Sequence, residues 1–319
     1  MLTCPEPELL PMIRLPALVL TLALLAACAT PAPRAPAPAP APAAPVAAEN
    51  YEFDNLGAVV WMRTAAEAEA LHRQSYAMAR RALDMALADP SWTAATEQSG
   101  DYSRLPPAVI VDVDETVLDT SDYMVERFRS GRSFDKADWN RYVQRENATP
   151  VPGALDFLRY AASKGVTVYY VSNRSVADAA AGLADEVEPT RRNLAKFGFP
   201  NTDSAQTFLF RNKPRGWQEK SPRRAEVAKT HRIVMLVGDN LYDFIDIENA
   251  DRDKRALAVQ KHAAWLGTRW IVMANPSYGS WEQVVAGYAT GSAGRKARLE
   301  AVGVPGPVAD RIAGGGFEP

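Results

Sequence analysis

The stretch Ile110 to Tyr123 reads I-V-D-V-D-E-T-V-L-D-T-S-D-Y and constrains this chain more than any other. Ala108 to Val111 form an apolar, largely β-branched run. Such a run ending abruptly in acids predicts a buried parallel strand whose carboxyl end opens onto a site. Asp112 and Asp114 stand at that end. Residues two apart on an extended chain point to the same side, so the two carboxylates repel unless a cation lies between or beside them. A hard divalent ion such as Mg²⁺ is the natural third member. One carboxylate at a strand tip can attack phosphorus and become an aspartyl-phosphate, while the second handles the proton of the leaving group. D-x-D by itself also occurs in metal-binding glycosyltransferases, calcium loops and solvated turns.

The full string D-x-D-E-T-V-L-D-T after a strand is more specific. It resembles motif I of the haloacid dehalogenase (HAD) superfamily, and the Glu-Thr continuation with Tyr123 looks like the class C acid phosphatases, bacterial surface-lipoprotein phosphatases and 5′-nucleotidases. Val113 stands where that family usually has Leu or Ile, an apolar branched replacement of little consequence.

Composition narrows the field from the other side. The chain has 319 residues, nearly half of them hydrophobic, which is enough for one large domain with a cap. A formal charge of −2 leaves no footprint for a nucleic-acid polymer. The two cysteines, Cys4 and Cys28, both precede the expected folded body and belong to no zinc pattern. None of the three histidines lies in an R-H-G setting, which argues against a histidine phosphatase.

Arg14 followed by an apolar run to Ala27 has the charge and length of a secretory signal, too short for a comfortable membrane span. Leu25-Ala26-Ala27-Cys28 resembles a bacterial lipobox, which makes Cys28 the lipidation candidate; an ordinary cleaved signal with an incidental cysteine is the alternative. Residues 1 to 11 do not look like an n-region, so Met12 is an alternative start. Thr30 to Ala47 is almost wholly Ala and Pro, too poor in apolar bulk for a core and suited to an extended tether. The expected organisation is a signal peptide over 1–28, a tether over 29–50, a phosphatase domain over 51–305 with cap elements from 51–100 and 120–150, and a loose tail over 306–319. Ala29 after the cysteine carries no acidic retention signal, which favours the outer membrane of a bacterial envelope.

Asn55 to Ala88 is Ala-rich and free of Pro, which predicts one long helix or two ending before Pro90. Residues 124 to 150 carry F-D-K-A-D-W, ending in Trp139, where the superfamily inserts a cap between its first two strands. Val166 to Val171 predicts a second buried strand ending in Ser172-Asn173-Arg174. The hydroxyl and amide there suit phosphate oxygens, with help from N–H groups opening the next helix. V-S-N-R resembles motif II. Thr207 to Phe210 predicts a third strand, and Lys220, opening the helix beyond it, is the candidate motif III cation, with Lys213 a competitor. Ile233 to Val237 predicts a fourth strand ending in G-D-N-L-Y-D-F, similar to the class C motif IV. Asp239 there can reach the metal across from Asp112, and Asp243 lies on the same side if a helical turn begins. Trp270 to Ala274 predicts a fifth strand before N-P-S-Y-G-S-W, which resembles the family's final loop with Tyr278 beside the site.

Strands alternating with helices, with acids at the ends of the first and fourth, specify an α/β fold: a Rossmann-like parallel sheet flanked by helices, with a smaller helical cap. The resemblance implies a Mg²⁺-dependent acid phosphatase. Asp112 is its nucleophile, Asp114 its general acid/base, and Asp112, Asp239 and the Asp114 carbonyl its metal ligands. Asp243 orients the metal shell or Lys220, and Ser172, Asn173 and Lys220 grip the phosphoryl oxygens. Trp139 and Tyr278 flank the entrance, where a nucleoside base could stack, although either aromatic could equally be core. The substrates implied are small phosphomonoesters, nucleotides among them, and the resemblance implies a homodimer. A non-catalytic ligand-binding lipoprotein and a phosphotransferase or phosphomutase are the competing readings.

Overall fold

The computed structural model describes residues 55–314. The signal, Cys28, the tether and residues 315–319 lie outside the described residues. Two helices open the fold, α1 (Leu56–Thr64) and α2 (Ala66–Ala88), parted by Ala65 in extended backbone. Thr64 Oγ1 bonds back to the Val60 carbonyl, the kind of local bond that loosens a helix end. Asp89, ahead of Pro90, is forced out of the helical region (φ −114°, ψ 102°), which ends α2.

Strand β1 (Pro107–Val111) leads into motif I. It is followed by β2 (Leu118–Asp119), helices α3 (Ser121–Ser130) and α4 (Lys136–Gln144), and β3 (Thr149–Pro150). β2 pairs antiparallel with β3, so the two-helix insertion is clasped at its base. The remaining elements are α5 (Ala154–Ser163), β4 (Thr167–Ser175), α6 (Val187–Phe197), β5 (Phe208–Arg211), α7 (Lys220–Ala228), β6 (Arg232–Gly238), α8 (Arg252–Lys261), β7 (Trp270–Val272), α9 (Ser280–Val285), α10 (Gly291–Ala301) and α11 (Gly306–Ala313). The main sheet is parallel in the order β5-β4-β1-β6-β7.

Alternation along β1 separates two cores. Val109 and Val111 join Tyr76 and Leu83 of α2, Phe157 of α5 and Leu194 of α6 on one face. Ala108 and Ile110 join Val227 of α7, Phe244 and Trp270 on the other. The α2 helix therefore belongs to a layer flanking the sheet, which corrects its assignment to the cap. The insertion is met by α1, through Arg63, which donates to Ser121 and Asp122 of α3.

β7 is too short to cover the start of β6, and residues 92–98 fill that edge. The Ala94 N–H donates to the Ile233 carbonyl (2.8 Å), Trp92 Nε1 to the Val234 carbonyl (2.9 Å), and buried Gln98 accepts from the Ile233 N–H (2.8 Å). The strand's polar backbone is thus satisfied without a further strand. The tail expectation is also corrected: residues 306–313 form α11 and pack on α10, with Ala309 and Ala313 buried, because Pro305 and Pro307 start a helix rather than end one.

Candidate active site

Register brings the motifs together. Val111 lies opposite Tyr170 of β4 and Val237 of β6, so Asp112 is level with Val171 and Gly238, one residue short of Ser172 and Asp239. The Asp112 N–H continues the ladder to the Val237 carbonyl (2.9 Å). Beyond Val113 the chain turns tightly: the N–H groups of Val117 and Leu118 both donate to the Val113 carbonyl, and Glu115 adopts φ +53°. A non-glycine residue there costs about 1–2 kcal/mol, which the turn's own bonds offset.

Lys220, the first residue of α7, is only 4% exposed. Its ammonium pairs with Asp112 Oδ1 and with Asp243 Oδ1 (2.6 Å). Lys213 is exposed in a 3₁₀ turn, and of the two lysines it is Lys220 that meets the strand-tip carboxylates. Asp243 ends a single 3₁₀ turn, Leu241–Asp243, rather than an α-helical one. Its Oδ2 accepts from the Asn240 N–H (2.8 Å) while Asn240 accepts from the Tyr242 N–H, a reciprocal cap. Gly238 is required here, since a Cβ would occupy the place of the Asp243 carboxylate. Asp239 is held by Asn275 Nδ2 (2.8 Å).

Carboxylate oxygens of Asp112, Asp239 and Asp243 lie within 4.8 Å of one another. Burial pushes the Asp112 carboxyl up to about 7; Lys220 pulls the other way, while the charges of Asp243 and Asp114 add to the rise. Burial, then Asp243 and Asp112, hold Asp239 well above the usual carboxylate range. Three carboxylates against one ammonium leave an excess of two negative charges, which a divalent cation would cancel. The donors are all hard oxygens, so the residues fit such an ion.

Asp114 points elsewhere. Buried Arg174 donates to it from Nε (3.1 and 3.2 Å) and from Nη2 (2.7 Å). Strand β4 runs on to Ser175 and no α-helix begins until Val187, so the expected help from helix N–H groups beside motif II is corrected. Within that strand the side chains alternate: Ser172 and Arg174 are buried and Asn173 is exposed. Ser172 Oγ accepts from the Arg174 N–H (3.1 Å), leaving its proton to donate, and Asn173 Oδ1 accepts from Arg223 Nη2 (2.8 Å).

Trp139 packs in the cap against Tyr123 (ring centroids 5.1 Å) and Tyr142 (5.5 Å), with the Arg174 guanidinium 5.5 Å from its ring. Tyr278 donates its hydroxyl to Glu115, whose other oxygen accepts from Thr120. The two rings are not in contact among the described residues. Each meets a different side of the motif I turn, Trp139 through Arg174 and Tyr278 through Glu115.

Sequence reasoning missed Arg174, Glu115, Arg223 and Asn275. For Arg174 the signal was present, an arginine two residues after Ser172 on an extended strand, and so on the same side as that serine.

The model of the HAD superfamily, subfamily IIIB (acid phosphatase), matches residues 46–281. Among solved structures, the class C acid phosphatase from Bacillus anthracis is 31% identical with a TM-score of 0.68, over 79% of this chain and 97% of that one. The same enzyme with tungstate bound is 30% identical with a TM-score of 0.67, over the same shares. The carboxylates gathered at the strand tips and these likenesses agree: the chain belongs to the acid phosphatases of HAD subfamily IIIB and is a phosphomonoester hydrolase.

Proposed function

We propose that the protein hydrolyses nucleoside 5′-monophosphates and related phosphomonoesters with Mg²⁺, through an aspartyl-phosphate on Asp112. The observation that carries this reading is buried Lys220 between Asp112 and Asp243, beside Asp239, at the tips of β1 and β6. Lys220 grips Asp112 Oδ1, which leaves Oδ2 as the attacking atom. The bond from Oδ2 to phosphorus forms as the ester P–O bond breaks, and Asp114 gives its proton to the departing oxygen. In the second half a water loses a proton to Asp114 and attacks phosphorus, which restores the Asp112 carboxylate and releases phosphate. Ser172, Asn173 and Lys220 meet the phosphoryl oxygens. When bound, the divalent ion offsets phosphoryl charge; Asp112, Asp239 and the Asp114 carbonyl would hold it, with Asp243 close enough to share it. The tungstate bound by the Bacillus anthracis enzyme supports an oxyanion site in this fold.

Asp112→Asn should keep the fold and lose more than about a hundredfold in kcat, roughly 2.7 kcal/mol of barrier. A purified, folded variant retaining more would exclude the covalent route.

Metal binding should depend on pH in a definite direction. Asp112, pushed up to about 7, and Asp239, also raised, must shed protons to become ligands, so Mg²⁺ affinity should rise with pH, with proton release. Calorimetric titration in buffers of different ionisation enthalpy measures both. Asp239→Ala should abolish the binding, and an affinity that is flat or falls with rising pH would exclude these ligands.

The nucleotide preference rests on Trp139 and Tyr278, each fixed to the motif I turn. A stacked base contributes roughly 1–3 kcal/mol, so Trp139→Ala and Tyr278→Ala should each lose about 5- to 150-fold in kcat/KM on a nucleoside monophosphate and far less on a ringless phosphoester. Equal losses on both substrates would assign the two rings to packing.

For residues outside the described part, we propose an outer-membrane lipid anchor on Cys28 with 29–50 as its tether, on the grounds of the lipobox and the Ala/Pro composition. Labelled fatty acid should enter the wild-type protein and not Cys28→Ser. Absence of label from the wild type would refute the anchor.

A further inference from the structure

We propose that Arg174 is the positioning residue for the proton shuttle, holding the Asp114 carboxyl by its edge and thereby setting how strongly the rate depends on the basicity of the leaving group. The inference rests on the reading of Asp114 as proton donor given above, and it concerns a residue to which that mechanism gives no part.

Arg174 is held on every side. Its Nε and Nη2 form a fork on Asp114, Nη1 donates to Thr190 Oγ1 (2.8 Å), and the guanidinium lies near the Trp139 ring. Thr190 in turn donates to the Glu186 carbonyl (2.5 Å), and the Glu186 carboxylate accepts from the Ser175 N–H (2.6 Å) and from Asn140 Nδ2 (3.1 Å) on the cap. With 3% of its surface exposed, three hydrogen bonds to Asp114 and one to Thr190, the arginine has no freedom to turn. It presents its planar fork to the second carboxylate of the D-x-D pair, the geometry in which a carboxyl is oriented as well as paired.

The consequence is chemical. When Asp114 gives its proton to the ester oxygen as that oxygen leaves phosphorus, the carboxylate formed stays in the Arg174 fork, and in the second half it takes the proton of the attacking water from the same position. An alkoxide leaving group needs that proton in the transition state, whereas 2,4-dinitrophenolate leaves without it. A misplaced Asp114 therefore harms the first substrate and spares the second.

The test compares kcat/KM, which reports the first bond cleavage, on a nucleoside 5′-monophosphate and on 2,4-dinitrophenyl phosphate. Arg174→Lys keeps the charge and loses the fork; Thr190→Val leaves the fork and removes its outer anchor. Arg174→Lys should lose about 10- to 100-fold on the nucleotide and less than about 3-fold on the dinitrophenyl ester, with Thr190→Val showing the same selectivity at smaller size. Equal losses on both substrates, or no loss on either, would overturn the proposal. Asp114→Asn separates the two levels. If it is selective for the basic leaving group while neither other variant is, only the role of Arg174 falls; if it harms both substrates equally, Asp114 is not the donor and both readings fall.

Discussion

One buried ammonium holds this site together. Moving a lysine side chain out of water costs several kcal/mol, a cost met only when carboxylates reach it with good geometry. Lys220 meets it with two, Asp112 from the tip of β1 and Asp243 from the turn after β6. The same pairing ties α7 to the two central strands, so the position of Asp112 and the docking of a flanking helix are one energetic fact. Removing either carboxylate would leave the largely buried ammonium with a single partner.

The helix that carries Lys220 repeats the device. Arg223 and Arg224 follow it at three and four residues, on the same face, and both are fully buried. Arg223 donates to the Ser172 carbonyl (2.5 Å) and to Asn173 Oδ1, fixing the end of β4. Arg224 donates to the carbonyls of Tyr242 and Asp243 and to Glu97, fixing the turn after β6 and the strap beside it. Three cations within five residues thus bind three strand ends. Such groups give little net stability, and their worth lies in determining where the strand tips stand.

A second layer of order comes from the insertion between the first two large strands. Its base is the short β2–β3 pair and its core is the cluster of Tyr123, Trp139 and Tyr142. That cluster touches the catalytic floor through Arg174, which joins the Trp139 ring to Asp114. Tyr278, from the loop after β7, touches the same turn through Glu115. Trp139, Tyr278 and the Asp114 carboxyl therefore share supports at the motif I turn.

The sequence alone determined the strands of the main sheet, their order of motifs and the residues at their tips, because burial on both faces demands apolar, β-branched runs, and the acids that end such runs mark the tips where a parallel sheet opens onto a site. It thereby marked Asp112, Asp239 and Asp243, whose oxygens the fold gathers within 4.8 Å, and the parallel α/β class, and it preferred Lys220, which the fold sets between Asp112 and Asp243, over Lys213 in an exposed turn. Only the tertiary structure decided what meets what. That α2 flanks the sheet, that residues 306–313 are a helix packed on α10, and that Arg174 grips Asp114 all depend on contacts between distant residues. Local pattern records which face of an element is apolar; it carries no record of which partner, sixty residues away, will bring its charge to that face.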